Sequence, residues 1–169
     1  LIEFKKKHKN IINKSINDFY SEVVDNVNYY NHTQRVTDEI IDNLEETFFP
    51  SLFQEELDKK YELRIVFIQN KLWAMVIFSQ NNVKTLIDWR NLDKESAIRF
   101  APFNLHNMLE NKIKQFIKLS GLNIGVIDIV VSKKNEFFFL ECNPNGNIDM
   151  VSRRCNYNIE EYIALLLNK

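Results

Sequence analysis

Two apolar runs near the C-terminal end constrain this chain more than any other feature. Ile124-Gly125-Val126-Ile127-Asp128-Ile129-Val130-Val131 and Phe137-Phe138-Phe139-Leu140-Glu141 flank a short polar stretch around Lys134-Asn135. Runs this short and this rich in β-branched and aromatic residues read as the two strands of a hairpin. Each carries one carboxylate in otherwise apolar surroundings. With Lys134-Asn135 as a two-residue loop, Asp128 lies directly opposite Glu141, their Cβ atoms about 4.5–5.5 Å apart. Asn143 follows Glu141 by two residues and shares its face. Facing carboxylates repel and are costly to desolvate. A divalent cation removes the conflict, and so few protein oxygens suit Mg²⁺ shared with nucleotide phosphates. A neighbouring Arg or Lys, or a slipped register that keeps the two apart, removes it as well. Asn143-Pro144-Asn145-Gly146-Asn147 is a dense turn signal and predicts a loop at the lip of this site.

A second hairpin lies upstream. Glu62-Leu63-Arg64-Ile65-Val66-Phe67-Ile68 and Leu72-Trp73-Ala74-Met75-Val76-Ile77-Phe78 have period-2 apolar patterning around Gln69-Asn70. Residues 84–89 read as a third strand. Glu62 and Arg64 share one face of an apolar strand, where an arginine offers fixed donors to phosphate oxygens or makes a cross-strand ion pair. Leu105, Leu109, Ile113, Phe116 and Ile117 form the apolar face of a helix ending at Gly121. Asn158, with Glu161 three residues on, predicts a capping box opening a helix to Leu167. Nearer the start, Ile11-Ile12 and Ser15-Ile16 read as a short strand around Lys14. Thr37 caps a helix carrying Val36, Ile40, Ile41 and Leu44, stopped by Pro50, with Leu52-Phe53-Gln54 extended. The layout is α+β, an antiparallel sheet with helices packed on one face.

Composition excludes several classes. Charged residues make up 27% of 169, with a net charge of −1, which gives no basic excess for nucleic acid. The run Lys5-Lys6-Lys7-His8-Lys9 is short and reads as a solvated helix face. No apolar stretch is long enough to cross a membrane, and no signal peptide is recognisable. Cys142 and Cys155 form neither a disulfide framework nor a zinc pattern, so a cytoplasmic location is the simple expectation. Neither cysteine, and none of the three histidines, stands in a nucleophile–base pattern. The first residue is Leu1, which suggests a piece of a longer protein.

Asp128, followed by Phe139-Leu140-Glu141-Cys142-Asn143-Pro144-Asn145-Gly146, resembles the metal-binding signature of the ATP-grasp superfamily. Within it, the chain is most similar to the graspetide, or microviridin-type, synthetases and the grasp-with-spasm peptide maturases. Phe53-Gln54-Glu55-Glu56-Leu57, Lys60-Tyr61-Glu62-Leu63-Arg64, Ile87-Asp88-Trp89-Arg90, Ala101-Pro102-Phe103 and Val151-Ser152 with Cys155-Asn156-Tyr157 carry the likeness from about residue 10 to the end. The resemblance implies two lobes around a nucleotide cleft, a small one over 1–57 and a large one with the metal site over 58–169. The family's N-terminal domain is absent from this sequence. Lys14 is expected to contact the phosphates. Gln54, Glu55 and Leu57 are expected to hold the nucleotide, the backbone of Glu55 and Leu57 meeting the adenine edge, and Glu62 the ribose. Arg64 and Arg90 are the implied catalytic cations. Asp128, Glu141 and Asn143 are the implied ligands of Mg²⁺, and ATP is the implied co-substrate.

The implied reaction turns a peptide side-chain carboxylate into an acyl phosphate, which a hydroxyl or amine of that peptide attacks to give an ester or amide cross-link. The partner is then a ribosomally made precursor peptide with leader and core, and a homodimer is compatible with the resemblance. Two features depart from the family: the lid segment between Lys14 and Thr37 contains no glycine, and Asn147 stands where a glutamine is expected. Two other readings compete: an ATP-grasp ligase acting on another carboxylic acid, and a non-catalytic scaffold of this fold that binds nucleotide or peptide.

Overall fold

The computed structural model describes residues 1–16, 32–91 and 97–168, together with the backbone of two short strands at 21–24 and 27–30. The chain divides into two compact units, Leu1–Leu57 with Asn82–Ala97, and Asp58–Asn81 with Ile98–Lys169.

In the first unit, helix α1 (Ile2–Lys7) holds most of the basic run, with Lys6 and Lys7 exposed as a solvated face requires. Strand β1 (Ile11–Lys14) follows, then a hairpin of β2 (Ser21–Val24) and β3 (Val27–Tyr30), and strand β4 (Gln34–Arg35). The segment read as a glycine-free lid includes 17–20, 25, 26 and 31, which lie outside the described residues. Helix α2 (Asp38–Asp42) starts where expected, the Thr37 hydroxyl accepting from the Ile40 N–H at 3.3 Å. It stops well before Pro50, because the Asn43 amide turns back and donates to the Glu39 carbonyl. Strand β5 (Leu52–Glu55) pairs antiparallel with β1, giving the order β4-β1-β5, and Ile11 is fully buried.

The second unit is built on five antiparallel strands, β6 (Lys59–Ile68), β7 (Lys71–Ile77), β8 (Phe100–Phe103), β9 (Ile124–Ser132) and β10 (Phe137–Asn143), in the order β10-β9-β6-β7-β8. The first hairpin forms as predicted. Gln69, at φ 53°, takes the left-handed conformation that its two-residue loop requires. Residues 84–89 do not extend the sheet. Asn82 accepts from the Lys84 N–H and nucleates a 3₁₀ turn at Val83–Thr85, and the third strand is β8 instead.

Helix α3 (Asn107–Ser120) ends at Gly121, whose φ of 70° is the left-handed cap the sequence predicted. It buries Leu109, Ile113 and Ile117 against Leu63, Ile65, Phe67, Ile127, Ile129 and Val131 on one face of the sheet. Helices α4 (Asp149–Cys155) and α5 (Ile159–Leu167) approach the other face, which carries Trp73 and Phe100. Tyr162 meets Trp73 edge-on at 5.2 Å and Arg154 lies 4.8 Å from the Phe100 ring. The expectation of helices on one face therefore describes α3, while the C-terminal pair covers part of the opposite surface. Helix α5 begins as predicted, but the capping box does not form. Asn158 is itself left-handed, at φ 52°, and the buried Ser152 hydroxyl accepts from the Ile159 N–H and donates to Glu160.

The last hairpin reaches the predicted pairing by a different route. Its loop has three residues: the Asn135 N–H donates to Ser132 and the Ser132 N–H to Glu136, with Asn135 left-handed at φ 62°. That displaces the ladder by one residue, so Phe137 faces Val131 and Phe139 faces Ile129. A bulge at Leu140 then restores the offset, and Glu141 faces Asp128. The bulge also reverses the sides of the strand. Phe139 stays on the α3 face, whereas Glu141 and Asn143 turn to the face of Asp128. Beyond Asn143 the loop folds back so tightly that a Cβ on Gly146 would lie 2.6 Å from the Val126 side chain. Gly146→Ala should therefore lower the stability of the second unit by about 1–3 kcal/mol through overpacking. The urea midpoint should fall at unchanged slope; an unchanged midpoint would mean that the loop does not hold this approach.

Candidate functional site

The central strand of the second unit brings the predicted polar residues onto one face. Across β6, β9 and β10, Arg64 faces Asp128 and Asp128 faces Glu141. Glu62 and Val130 form the next row, with Val66, Val126 and Asn143 on the other side. Every other residue of β6 and β9 points into the α3 core, so this face concentrates the charge.

Of the three ways to relieve facing carboxylates, the structure realises the arginine. Arg64 Nη1 donates to both Asp128 oxygens, at 2.9 and 3.2 Å. The register does not slip. Two facts leave the site incomplete as a purely structural network. Arg64 Nε is buried without a hydrogen-bond partner, which costs about 1–3 kcal/mol unless an acceptor arrives. Glu141 is exposed and makes no ion pair among the described residues, so one arginine faces two carboxylates. The Asn143 carboxamide oxygen, two residues on, accepts from the Asn145 N–H at 2.9 Å and is held toward this face. Among the described residues no group of three or more His, Cys, Asp or Glu could hold a metal. A cation here must therefore draw part of its shell from a ligand's oxygens, which suits Mg²⁺ with phosphate. The residues fit that group: hard oxygens, an uncompensated negative charge, and an orphaned donor for an anionic oxygen.

Glu62 is almost fully buried and doubly held. Lys59 Nζ and the Ser79 hydroxyl donate to its Oε1 at 2.8 and 2.9 Å. Neither Lys59 nor Ser79 was singled out from the sequence. The i, i+3 spacing of Lys59 signals little in a strand, and Ser79 arrives from beyond β7.

The first unit holds the remaining candidates. Lys14 faces Leu52, and Ile12 faces Gln54, so Lys14 and Gln54 share one side of the β1–β5 pair. Glu55 is on the other side, 3.4 Å from His8. Leu57 follows, half-buried, at the end of this stretch. Arg90 is clamped by Asp88, its Nε and Nη2 donating at 2.8 and 2.7 Å, while the Thr33 N–H reaches the same carboxylate. Burial opposes ionisation of Asp88, but the hydrogen bonds and charge of Arg90, with the Thr33 amide, outweigh it and hold the carboxyl well below the usual range. Asp88 appears in the sequence motif without a role, and its spacing two before Arg90 is the signal that could have assigned one.

The cysteines offer no nucleophile. Burial raises both thiols, and the Asp128 charge adds to the effect at Cys142. His106 caps α3, its Nδ1 accepting from the Leu109 N–H. No helix among the described residues is long and apolar enough to cross a membrane.

No protein-family model matches the sequence, and no curated protein matches it. Solved structures do. The RiPP-associated ATP-grasp ligase of Chryseobacterium gregarium, in complex with ADP and a leader and core peptide, is 26% identical with a TM-score of 0.76 over 89% of this chain. The macrocyclase MdnC of Microcystis aeruginosa, bound with precursor peptide MdnA, is 27% identical with a TM-score of 0.80 over 99% of it. The ATP-grasp ligase PsnB, complexed with a minimal precursor variant, Mg and ADP, shares the fold at 17% identity and a TM-score of 0.66. The chain spans about half the length of these structures, 45%, 51% and 45% respectively.

The Asp88 clamp makes a pH prediction. Because its folded carboxyl titrates below its unfolded value of about 3.9, the stabilisation is complete above that value and is lost as pH falls toward the folded one. Stability should therefore decline below about pH 4, and Asp88→Asn should be less stable at neutral pH with a flatter acid limb. Parallel acid limbs for the two proteins, followed by circular dichroism, would refute the assignment.

Proposed function

Because the chain has the fold of the ATP-grasp ligases and is similar to peptide-modifying members, we propose that it is the nucleotide- and metal-binding part of an ATP-dependent peptide ligase. Residues 1–57 are assigned to the small lobe and 58–169 to the large one. The observation that carries the reading is the incomplete site on β6, β9 and β10, where the buried Nε of Arg64 lacks an acceptor and Asp128 and Glu141 face a single guanidinium.

In this reading Asp128, Glu141 and Asn143 hold Mg²⁺, which offsets the charge of the transferring phosphoryl group when bound. Arg64 donates to the same phosphoryl oxygens through the nitrogen left unpaired. Lys14 meets the phosphates, Gln54, Glu55 and Leu57 the base, and Glu62, fixed by Lys59 and Ser79, the ribose. Arg90, aligned by Asp88, presents its outer face to a substrate carboxylate. That carboxylate attacks the terminal phosphorus of ATP and ADP leaves. A hydroxyl or amine of the peptide then attacks the acyl carbon, loses its proton and expels phosphate, giving an ester or amide. A peptide substrate is favoured over a free acid by the exposed apolar side chains of Ile40, Leu44, Phe48 and Phe49 in the first unit, beside acidic neighbours on α2.

Calorimetry with a non-hydrolysable ATP analogue tests the reading. Binding by this chain should require Mg²⁺ and weaken by about tenfold or more in Glu141→Gln and Asp128→Asn, which remove ligand charge without removing volume. Binding that ignores both Mg²⁺ and the substitutions would refute the metal assignment.

A further inference from the structure

We infer that Lys59 and Ser79 are positioning residues: by occupying one oxygen of Glu62 they leave its carboxylate to read a single hydroxyl of the nucleotide sugar. Glu62 lies on the polar face of β6, two residues before Arg64, between Ile77 of β7 and Val130 of β9. Lys59 stands three residues earlier, a spacing that in a regular strand puts two side chains on opposite faces. A bulge at Lys60 removes that conflict. Lys59 faces Ser132 and Tyr61 faces Val131, so β6 carries one extra residue there and Lys59 turns to the face of Glu62. Its ammonium, on a side chain only 11% exposed, reaches Oε1 at 2.8 Å. From beyond β7, Ser79 comes in on a short 3₁₀ turn and is fully buried. Its hydroxyl accepts from the Gln80 amide at 3.3 Å and gives its own proton to the same Oε1, at 2.9 Å.

The two donors converge on one oxygen. A carboxylate oxygen has two lone-pair sites, so Lys59 and Ser79 together fill Oε1. No donor among the described residues reaches Oε2. A cis-diol chelates a carboxylate through one hydroxyl per oxygen, since the lone pairs of a single oxygen diverge more widely than two vicinal hydroxyls can follow. With Oε1 filled, only one sugar hydroxyl finds an acceptor on Glu62. The inference rests on the proposed function, which puts the ribose at Glu62, and goes beyond it in giving Lys59 and Ser79 a task that stability does not need. A nearly buried ion pair is a weak source of stability, because desolvating both charges offsets their attraction. What the pair supplies is a carboxylate held in one rotation, with one oxygen committed and the other presented.

The test is calorimetry on the whole chain with Mg²⁺ and ADP, 2′-deoxy-ADP or 3′-deoxy-ADP. In the wild type one deoxynucleotide should bind about tenfold or more weakly than ADP, the scale of a hydrogen bond to a charged group, and the other within about twofold of it. Ser79→Ala and Lys59→Met each release a lone pair on Oε1 and free the carboxylate to turn. In both variants the affinity ratio of the two deoxynucleotides should fall to about threefold or less. A merely structural role would weaken all three nucleotides alike and leave that ratio unchanged. Ser79→Ala, which adds no volume, decides alone if Lys59→Met does not fold. Equal affinities for the two deoxynucleotides in the wild type, or an unchanged ratio in Ser79→Ala, overturns the inference while ADP binding upholds the nucleotide reading. No binding of ADP by the wild type overturns both.

Discussion

An arginine and an aspartate face each other across the central strand β6 and its neighbour β9, on the face of the sheet where the charge is concentrated. Charges in such a place are expensive to desolvate, and each makes the other tolerable. The pairing is incomplete, however. Arg64 spends Nη1 on Asp128 and leaves Nε buried and unpaired, and Glu141 brings a second negative charge to the same row. A core selected for stability alone would do better with hydrophobic residues at these positions. The rest of the second unit follows from holding this polar row in place. Helix α3 seals one side of the strands, α4 and α5 cover part of the other, and the Asn143–Gly146 turn folds onto Val126 beside the row.

The bulge at Leu140 divides β10 into two chemistries. Before it, Phe137 and Phe139 belong to the α3 face; after it, Glu141 and Asn143 belong to the polar row. One extra residue thus gives an aromatic wall and a pair of oxygen donors on opposite sides of one short strand. Bulges of this kind recur next to active sites because they re-aim a side chain without breaking the sheet.

The first unit applies the same logic to Arg90. A buried Asp88, fixed by the Thr33 amide, fixes the guanidinium in turn. An arginine aligned in this way loses less freedom when it meets an anion than a free one would.

Much of this was legible in the chain. Period-2 patterning gave both hairpins, the 3.6 period gave α3 with its left-handed Gly121, and the placement of Asp128 opposite Glu141 came from strand pairing alone. That last inference assumed a two-residue loop. The three-residue loop and the bulge each displace the ladder by one, and the two displacements cancel. Local patterning cannot see either, because a bulge is set by which face must be buried and not by the residue that bulges. The capping box at Asn158 and the strand at 84–89 failed for related reasons: Ser152 from the preceding helix took over the cap, and the Asn82 turn bent the chain away. By itself the sequence determined which charged residues stand in apolar strands and which strands carry them, since apolar alternation and charge are properties of neighbours along the chain. Only the tertiary structure decided that Arg64 spends itself on Asp128, that Lys59 and Ser79 fix Glu62, and that Glu141 and Phe139 look opposite ways. Those are settled by contacts between distant segments competing for one buried face.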